Sequence, residues 1–447
     1  MDRRQLLKAL TAAVIPAGAG HVVRAADVIP SSDAALPLAG EADIIVAGGG
    51  PAGFAAAITA ARAGKKTILF EANGSLGGVW TAGLMSCIID FGRGGLTKEI
   101  IARLDALGAR YPRRQAMCDA NFIFDVEPMK FVLEEMCVEA GVHFHYHTRI
   151  VAAEKTDSGR TVSRVITESK SGRQAWRAST YIDATGDGDL AARAGCGFDI
   201  GDGKGGDDQP ASLLALLTVD DPDRLAARFA VNDPGVFDEK GRPVRNRKKD
   251  LYEAMAALGV EPSYAMPTLF RMGRGLFELM SNHEYGVRVD DEASVTAATV
   301  RARREIFAQC RALAERGGPE WKGLRIVATS EQIGLRGARR IHGRYTLVVD
   351  DLLAGRSFED AVAHCTFCID VHATTRAGNR LKAAGAPKGM RVKPYDIPLR
   401  ACRAKDVDNL YMAGRCISGD FLSQASYRVT GPAVEMGEGV VRAILKV

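Results

Sequence analysis

A short apolar segment followed at once by a glycine-rich turn is the feature that most limits how this chain can fold. Asp43 to Ala47 has the character of a strand, Gly48-Gly49-Gly50-Pro51-Ala52-Gly53 follows it, and the alanine-rich segment from Phe54 to Ala63 predicts a helix. A strand, a glycine turn and a helix in this order form a phosphate-binding fingerprint, because the helix N-terminus presents unpaired N–H groups. The sequence therefore predicts dinucleotide binding.

The positions within this turn have different expected tasks. Gly48 permits the tight turn, Gly50 lets a pyrophosphate approach the backbone, and Gly53 lets the helix pack closely against the strand. Pro51 and Ala52 stand between them, at the start of the predicted helix.

A second predicted strand, Thr67 to Phe70, ends at Glu71. A carboxylate at this place can accept hydrogen bonds from the ribose hydroxyls of adenosine. Another glycine turn, Asp183 to Asp189, ends a strand and leads into a short helical segment, Leu190 to Ala194. Because no second strand–helix–strand succession follows it, a return of the chain to the first site is favoured over a second Rossmann unit. The glycines of 201–206 have similar spacing but lead into polar residues, which predicts a loop.

Composition and charge exclude several classes of protein. The chain has 447 residues, which predicts two or three domains, and its 47% hydrophobic and 25% charged residues exclude disorder, collagen and coiled coil. The net charge of +5 is too small and too dispersed to indicate nucleic acid or an anionic membrane as a partner. Nine cysteines in so long a chain do not form a dense disulfide framework.

The first 25 residues have the layout of an export signal. Arg3-Arg4 is followed by a modestly apolar run from Ala9 to Val14 and then by small residues. This segment resembles a twin-arginine signal peptide, which implies an exported or periplasmic protein with residues 26–40 as a linker. Cleavage after Ala19 or Ala25 stays open, as does a frayed cytoplasmic N-terminus. The apolar run is about half of the ~20 residues that span a bilayer, so stable membrane insertion is not expected.

Several further motifs follow the first turn in one order. They are Glu71 with Leu76-Gly77-Gly78, Asp183 to Asp189, Gln332 to Arg336 with Arg339-Arg340-Ile341, Tyr395 to Pro398, and Asn409 to Ser418. With these motifs the chain from about Asp43 onward resembles the FAD-dependent oxidoreductases of the glutathione-reductase-like flavoprotein superfamily, and within them a bacterial FAD-dependent oxidoreductase family. Several long motifs in one order are more specific than any one of them.

The resemblance implies an α/β fold in which a Rossmann-like FAD-binding domain is interrupted by a mixed α+β substrate domain. The expected ranges are 41–197 and 394–447 for the two parts of the FAD-binding domain, and 198–393 for the substrate or cap domain. Within the insert, Asp291 as N-cap, an apolar stripe and Gly317 as stop predict one long helix. No nicotinamide-binding unit is visible there, so we expect a small-molecule substrate or a partner to reduce the flavin.

The resemblance also implies a set of residues that contact FAD. A C-terminal helix opening at Gly431-Pro432 would point its dipole at negative charge on a reduced flavin ring. The other expected contacts are Gly77 and Gly78 near the pyrophosphate, Val151 near the adenine, Ala184, Thr185 and Gly186 beneath the adenosine half, and Gly414 and Arg415 beside the ribityl chain.

His372 is the main candidate for a catalytic base. It ends the stretch Ile369-Asp370-Val371-His372, and the resembling family has an Ile-Asp-x-His stretch in its substrate half. An imidazole near the flavin could take a proton from a hydroxyl or amine while flavin N5 takes a hydride. A structural histidine is the alternative.

Three arginines and a tyrosine complete the candidates near the flavin. Arg336, Arg340 and Arg428 could bind an anionic or polyhydroxyl substrate, or could merely pair with Asp370 and Asp396. The expected catalytic set is His372, Arg336, Arg340 and Tyr427.

Two other groups of residues suggest chemistry that we favour less. His143, His145 and His147 alternate along a predicted strand and could bind zinc or copper, although a polar outer face is the simpler interpretation. Cys365 and Cys368 form a CxxC that could cycle as a redox disulfide, but loop cysteines are more often packing residues or an oxidised staple. We expect no metal.

The sequence as a whole predicts an FAD-dependent oxidoreductase. It would dehydrogenate a small polar or anionic metabolite by hydride transfer to flavin and pass electrons to a redox protein or quinone. The alternative is a flavin-binding scaffold or electron relay without turnover of its own. The substrate itself is not encoded in any motif, because the motifs that carry the resemblance serve FAD and the frame.

Overall fold

The computed structural model describes residues 36–92, 94–112, 122–202, 207–233, 245–381 and 384–446. The strands are β1 (Leu38–Ala47), β2 (Thr67–Phe70), β3 (Cys87–Ile88), β4 (Arg110–Pro112), β5 (Phe122–Phe124), β6 (His143–His145), β7 (Arg149–Lys155), β8 (Val162–Ser169), β9 (Gly172–Asp183), β10 (Phe198–Asp199), β11 (Ala215–Thr218), β12 (Thr268–Arg271), β13 (Phe277–Met280), β14 (Arg325–Thr329), β15 (Arg340–Ile341), β16 (Ala361–Cys365), β17 (Tyr395–Pro398) and β18 (Leu410–Met412). The helices are α1 (Pro51–Arg62), α2 (Gly95–Ala106), α3 (Val126–Ala140), α4 (Asp189–Arg193), α5 (Pro222–Phe229), α6 (Arg247–Ala257), α7 (Glu292–Arg316), α8 (Val349–Ala354), α9 (Arg376–Leu381), α10 (Phe421–Tyr427) and α11 (Thr430–Leu445).

Some sequence-based predictions fall outside these ranges. The twin-arginine segment 1–25, most of the linker 26–40 and residues 203–206 of the predicted polar loop are not among the described residues. Within the described part of the chain, no helix is both long enough and apolar enough to cross a bilayer.

The main sheet brings five parallel strands side by side in the order β6, β2, β1, β9 and β18. Val46 of β1 lies opposite Leu69 of β2 on one side and Ile182 of β9 on the other. Strand β9 pairs with β18 along its late part and with β8 along its early part. Strands β7 and β8 continue the sheet as antiparallel strands. The predicted fold class, a Rossmann-like domain with a further domain, is thereby confirmed.

Helix α1 lies against this sheet with small residues at its contacts. Its alanines from Ala55 to Ala57 are fully buried, and Gly437 of α11 packs so closely that an added Cβ would overlap the Ala52 carbonyl oxygen. Two helices can approach in this way only where side chains are small. The alanine-rich composition of α1 therefore reflects its position between the sheet and α11.

A second hydrophobic core surrounds a separate antiparallel sheet, in the order β12, β13, β11 and β14. Helix α7 contributes a buried stripe that includes Ala302, Ile306 and Leu313. As predicted, the Asp291 side chain caps this helix, accepting a hydrogen bond from the Ala293 N–H at 3.0 Å, and Gly317 stands at its C-cap.

Strand β16 belongs to the first core, although it lies within the range expected for the substrate domain. It pairs with β17 and packs against α11, and Cys365 and Tyr395 join the buried residues of that core. The exact boundaries of the substrate domain remain a prediction.

Candidate active site

The glycine turn opens onto a cavity of about 580 Å³ at the carboxyl ends of the parallel strands. Gly48 has a φ of +91°, and a Cβ there would stand 2.6 Å from the Ala184 carbonyl oxygen. A Cβ on Gly53 would overlap the Gly48 carbonyl oxygen, whereas one on Gly50 would meet no protein atom within 4 Å. Gly48 and Gly53 therefore serve close packing, and Gly50 leaves space free in front of the α1 N-terminus.

Glu71 forms one end of this cavity. It follows β2, is 5% exposed, and its Oε2 accepts a hydrogen bond from the Gly49 N–H at 2.6 Å. Its Oε1 accepts from the backbone N–H and the side-chain amide of Asn73, at 2.8 and 2.9 Å. Burial raises the pKa of this carboxyl group above its usual value, and these hydrogen bonds offset part of the rise. The carboxylate ties the glycine turn to the loop after β2.

The turn after β9 returns the chain to the same cavity, as predicted. Asp183 is buried, and its oxygens accept hydrogen bonds from the Thr185 N–H and hydroxyl and from the Ala191 N–H. Burial raises the Asp183 pKa to about 6. Arg415 lies against Gly186 and donates to Asp187 at 2.5 Å, which joins the loop after β18 to the turn after β9.

Most of the residues predicted to contact FAD line the cavity. These are Gly48, Gly50, Pro51, Ala52, Glu71, Gly78, Ala184, Thr185, Gly186, Gly414 and Arg415. Gly53 lies beneath the turn, and Gly77 acts through its N–H, which donates to the Gly49 carbonyl at 2.8 Å. Val151 does not line the cavity, whereas its neighbours Arg149 and Ile150 do. The contact between Val151 and the adenine stays a prediction.

Arg428, which follows α10, and Thr430, the first residue of α11, also line the cavity. Arg428 Nη2 donates to the Asp370 carbonyl at 2.9 Å and lies 3.5 Å from Asp370 Oδ2. Arg336 is partly buried, and its Nη1 donates to the Pro210 carbonyl at 2.6 Å and to Ser212 Oγ at 2.9 Å. Burial and the charge of Arg428 lower the Arg336 pKa to about 10.

His372 pairs with Asp370, which is also the partner of Arg428. Its Nε2 is 3.2 Å from Asp370 Oδ2, and the imidazole is 6% exposed. Burial first, and then the charge of Arg336, lowers the His372 pKa to about 3. Burial opposes ionisation of Asp370, but the His372 hydrogen bond and the charges of Arg428 and Arg336 hold its pKa well below the usual value.

These charge states fix the tautomer of the imidazole. With Asp370 ionised and His372 neutral, Nε2 carries the proton that is donated to the carboxylate. His372 Nδ1 is then an unprotonated acceptor, and among the described residues it has no hydrogen-bond partner. The arrangement can accept a proton from a bound molecule.

Two of the predicted catalytic residues are engaged elsewhere. Tyr427 is fully buried, and its hydroxyl donates to the Ile417 carbonyl at 3.1 Å. Arg340 Nε donates to the Gly419 carbonyl at 3.0 Å. Neither residue lines the cavity; His372 and Arg336 do not line it either, whereas Arg428 does. The hypothesis that the arginines pair with Asp370 or Asp396 holds for Arg428, whereas Asp396 pairs with His364.

The histidine and cysteine groups have ordinary surroundings. His143 and His145 belong to β6, but His147 has a φ of +50° and follows the strand, so the three do not share one strand face. Nowhere in the described ranges do three His, Cys, Asp or Glu side chains gather as a metal site. Cys365 is buried and Cys368 exposed, both as free thiols, and burial raises the Cys365 pKa to about 12.

Three residues beside His372 were not predicted. Gln209 Oε1 accepts a hydrogen bond from the His372 N–H at 3.0 Å, and the rings of His283 and Tyr264 lie 5.0 and 5.8 Å from the imidazole. No spacing links these residues in the sequence, since they come from three separate loops around the antiparallel sheet. A lone histidine shortly after β13 is the only signal that His283 offers.

The cavity fits FAD at its nucleotide end. The α1 N-terminus has no side-chain cap and faces open space at Gly50, which suits a pyrophosphate, and Glu71 stands where a ribose would lie. The loop from Ala413 to Arg415, the first turn of α11 and residues of the expected substrate domain, among them Val295 and Leu335, also line the cavity.

Several solved structures are remotely similar to this chain. Among solved structures, the fold is similar to that of a geranylgeranyl bacteriochlorophyll reductase-like protein from Thermoplasma acidophilum, with 14% identity over 91% of this chain and 77% of that chain and a TM-score of 0.46. It is also similar to p-nitrophenol 4-monooxygenase from Pseudomonas putida, with 12% identity over 68% of this chain and 70% of that chain and a TM-score of 0.40. The flavin-dependent monooxygenase PieE, in complex with FAD and substrate, is also similar, with 13% identity over 69% of this chain and 52% of that chain and a TM-score of 0.43.

These structural likenesses are too remote to bear on activity, and no curated protein matches the sequence. The family model described as FAD dependent oxidoreductase, however, matches residues 43–444, which is nearly all of the chain. The chain therefore belongs to the FAD-dependent oxidoreductase family, and FAD is its cofactor.

Proposed function

We propose that the protein dehydrogenates a small polar or anionic metabolite, with His372 as the base that takes the proton. The observation that carries the proposal is His372 Nδ1, an unprotonated, buried acceptor without a partner among the described residues, held beside the cavity-lining Arg428. FAD, when bound, supplies a two-electron acceptor for the hydride that leaves the substrate carbon.

Asp370 orients the base and stabilises its charged form. Its carboxylate accepts the Nε2 proton of His372, so that Nδ1 faces away from the pair. As a substrate O–H or N–H bond breaks, its proton moves to Nδ1, the C–H bond gives up its electron pair as hydride, and a C=O or C=N bond forms. The imidazolium that results lies against an ionised carboxylate, which compensates its charge.

Arg336 and Arg428 support the same chemistry in two ways. Their charges help to keep His372 neutral before reaction, as a base must be. Both guanidinium groups are buried near the imidazole, and a buried cation attracts a carboxylate or polar oxygen of a substrate more strongly than an exposed one. We assign Arg336 and Arg428 to substrate binding and leave Arg340 and Tyr427 outside the reacting set.

Anaerobic reduction of the bound flavin tests the proposal. Pools of polar metabolites should bleach the visible flavin absorbance of the wild-type protein, and His372→Asn should lower the reduction rate constant by about 10²- to 10⁴-fold with an unchanged flavin spectrum. His364→Asn, the same change at an exposed imidazole that pairs with Asp396, should reduce at the wild-type rate. Electrons then pass to an external redox protein or quinone.

Two results would contradict this assignment. Unchanged reduction kinetics in His372→Asn would exclude it as the base. Resistance to every metabolite pool, together with rapid reduction by a redox protein, would favour an electron relay without turnover of its own.

A further inference from the structure

The expected substrate domain contains buried polar atoms that have no hydrogen-bond partner among the described residues. His283 is the clearest case, because it is 2% exposed and neither of its ring nitrogens has a hydrogen-bond partner there. Native proteins pair nearly all such atoms, since leaving one unpaired forfeits the hydrogen bonds it made to water. An imidazole buried with two free nitrogens therefore calls for an occupant that is not part of the protein.

Packing, and not hydrogen bonding, holds the His283 ring in place. One face of the ring stacks on Tyr264, with ring centroids 4.1 Å apart and planes inclined by 27°. The centroid of the His372 ring lies 5.0 Å from that of His283. The His283 backbone N–H donates to Ser263 Oγ at 2.8 Å. With a face covered, the ring edge that carries the nitrogens is what remains available for a ligand.

Two amide side chains that are bonded to the neighbours of His283 also keep one polar atom without a partner among the described residues. Gln209 Oε1 accepts from the His372 N–H at 3.0 Å, which leaves the Gln209 Nε2 donor without a partner among the described residues. Asn379 Nδ2 donates to the Ser263 carbonyl at 2.9 Å, and the Asn379 Oδ1 acceptor likewise has no partner among the described residues. Ser263 thus links Asn379 to His283, and His372 links both to Gln209.

The free atoms of this cluster, defined as Gln209, His283, His372 and Asn379, mix donors with acceptors. Burial, and then the charges of Arg336 and its neighbours, lower the His283 pKa well below its usual value, so its neutral ring offers one donor and one acceptor. Gln209 adds a donor, while His372 Nδ1 and Asn379 Oδ1 add acceptors. A hydroxyl group both donates and accepts, so adjacent hydroxyls can satisfy this set. A hydrocarbon or a simple aromatic ring would leave it unpaired.

We propose that this cluster binds a substrate with several adjacent hydroxyl groups, a sugar, polyol or sugar acid, whose reacting hydroxyl meets His372 while its neighbours meet His283, Gln209 and Asn379. The inference rests on the proposed function, since it places the reacting hydroxyl at the base assigned there. Arg428 connects the cluster to the cavity, because it lines the cavity and bonds to Asp370, the partner of His372.

A panel of compounds tests the substrate class on the full, FAD-loaded chain. D-Glucose, D-gluconate and myo-inositol are mixed anaerobically at equal concentration and compared with benzyl alcohol and 1-butanol. Flavin reduction by one or more of the polyhydroxyl compounds, and by neither single alcohol, is expected. Reduction by benzyl alcohol or butanol alone, still dependent on His372, would overturn the substrate class and keep the proposed function. The substrate class would also be overturned if no polyhydroxyl compound reduced the flavin and none changed the thermal midpoint of the protein.

Variants of His283 separate a ligand contact from a structural role. His283→Phe keeps a ring to stack on Tyr264 and removes both nitrogens, so its thermal midpoint should equal or exceed that of the wild type. Its kcat/KM with the reacting polyhydroxyl compound should fall by about 5- to 100-fold, mainly through KM, and the compound should no longer raise its thermal midpoint. His283→Gln, which retains a donor and an acceptor, should recover part of this loss.

His342→Phe provides the matched control, because this exposed imidazole faces Asp199 on the surface. It should leave kcat/KM unchanged. A lower thermal midpoint in His283→Phe with unchanged kcat/KM would mean that the cluster is a structural, water-filled one, and would overturn the proposal.

Discussion

The nucleotide end of the cavity and the substrate end of the site, defined as the cluster around His372, are built from different materials. At the nucleotide end, glycines and backbone atoms contribute to the surface, and Glu71 already accepts hydrogen bonds from Gly49 and Asn73 without any ligand. The substrate end does not line the cavity, and its buried side chains such as His283 and His372 keep polar atoms without partners among the described residues. The carboxylate of the nucleotide end is therefore paired within the protein, whereas the substrate end trades stability for the capacity to bind.

Blocking the nucleotide end should have the largest effect. Gly50 has an extended conformation, with φ −65° and ψ −177°, and a Cβ there meets no protein atom. Gly50→Val should therefore fold with a thermal midpoint near that of the flavin-free wild type, yet bind no FAD, because its side chain fills the space in front of the α1 N-terminus. The ratio of flavin to protein absorbance in the purified protein measures this.

Gly53→Val provides the contrast within the same turn. Its side chain would overlap the Gly48 carbonyl oxygen, so we expect loss of folded protein and not only loss of flavin. Full yellow colour in Gly50→Val would refute the assignment of this turn to phosphate.

Removing the carboxylate from the nucleotide end should have an intermediate effect. Glu71→Ala is expected to weaken FAD binding by about 1.5 to 3 kcal/mol, or about 10- to 100-fold in Kd, as for loss of charge-assisted hydrogen bonds. Titration of the flavin-free protein with FAD, followed by calorimetry, gives this number. Glu41→Ala, at an exposed position on β1 paired with Arg177, should bind FAD as the wild type does. Equal affinities for the two variants would remove Glu71 from the FAD site.

The smallest expected effect is the response of the substrate end to pH. A base works only while unprotonated, and a His372 pKa of about 3 keeps it so throughout pH 5 to 8. The rate constant of flavin reduction should then change less than about twofold on the acid side, whereas an ordinary histidine would lose more than about 10-fold by pH 5. Stopped-flow reduction across this range makes the measurement.

Arg336→Met sharpens the same test. It removes a cation beside the imidazole, which should raise the His372 pKa and move any acid loss toward higher pH. An acid loss centred near pH 6.5 in the wild type would contradict the buried, neutral His372 described above.

Local sequence was sufficient for the nucleotide end. The turn from Gly48 to Gly53, the strand that ends at Glu71 and the return at Asp183 all appear where they were predicted, because each task needs a residue type at a short, fixed spacing. The helix from Glu292 to Arg316 was likewise evident from its cap and stripe. The twin-arginine signal and the domain boundaries remain predictions.

The substrate end was only partly predictable. His372 was recognised because the stretch from Ile369 to His372 resembles one in the substrate half of the family, and Arg428 was recognised as a candidate partner of Asp370. Tyr427 looked equally suitable, yet its hydroxyl is bonded to the Ile417 carbonyl. Val151 was expected at the adenine, whereas the residues of its strand that line the cavity are Arg149 and Ile150.

The sequence by itself determined the family, the cofactor and the parallel sheet that carries it, because glycine turns and strand ends are local features with fixed geometry. Only the tertiary structure brought Gln209, His283 and Asn379 to His372, from loops far apart in the chain. Only burial, which no linear pattern records, decided that His372 is neutral and that atoms of this cluster lack partners among the described residues. The physical reason is that desolvation and pairing depend on what surrounds a group in space.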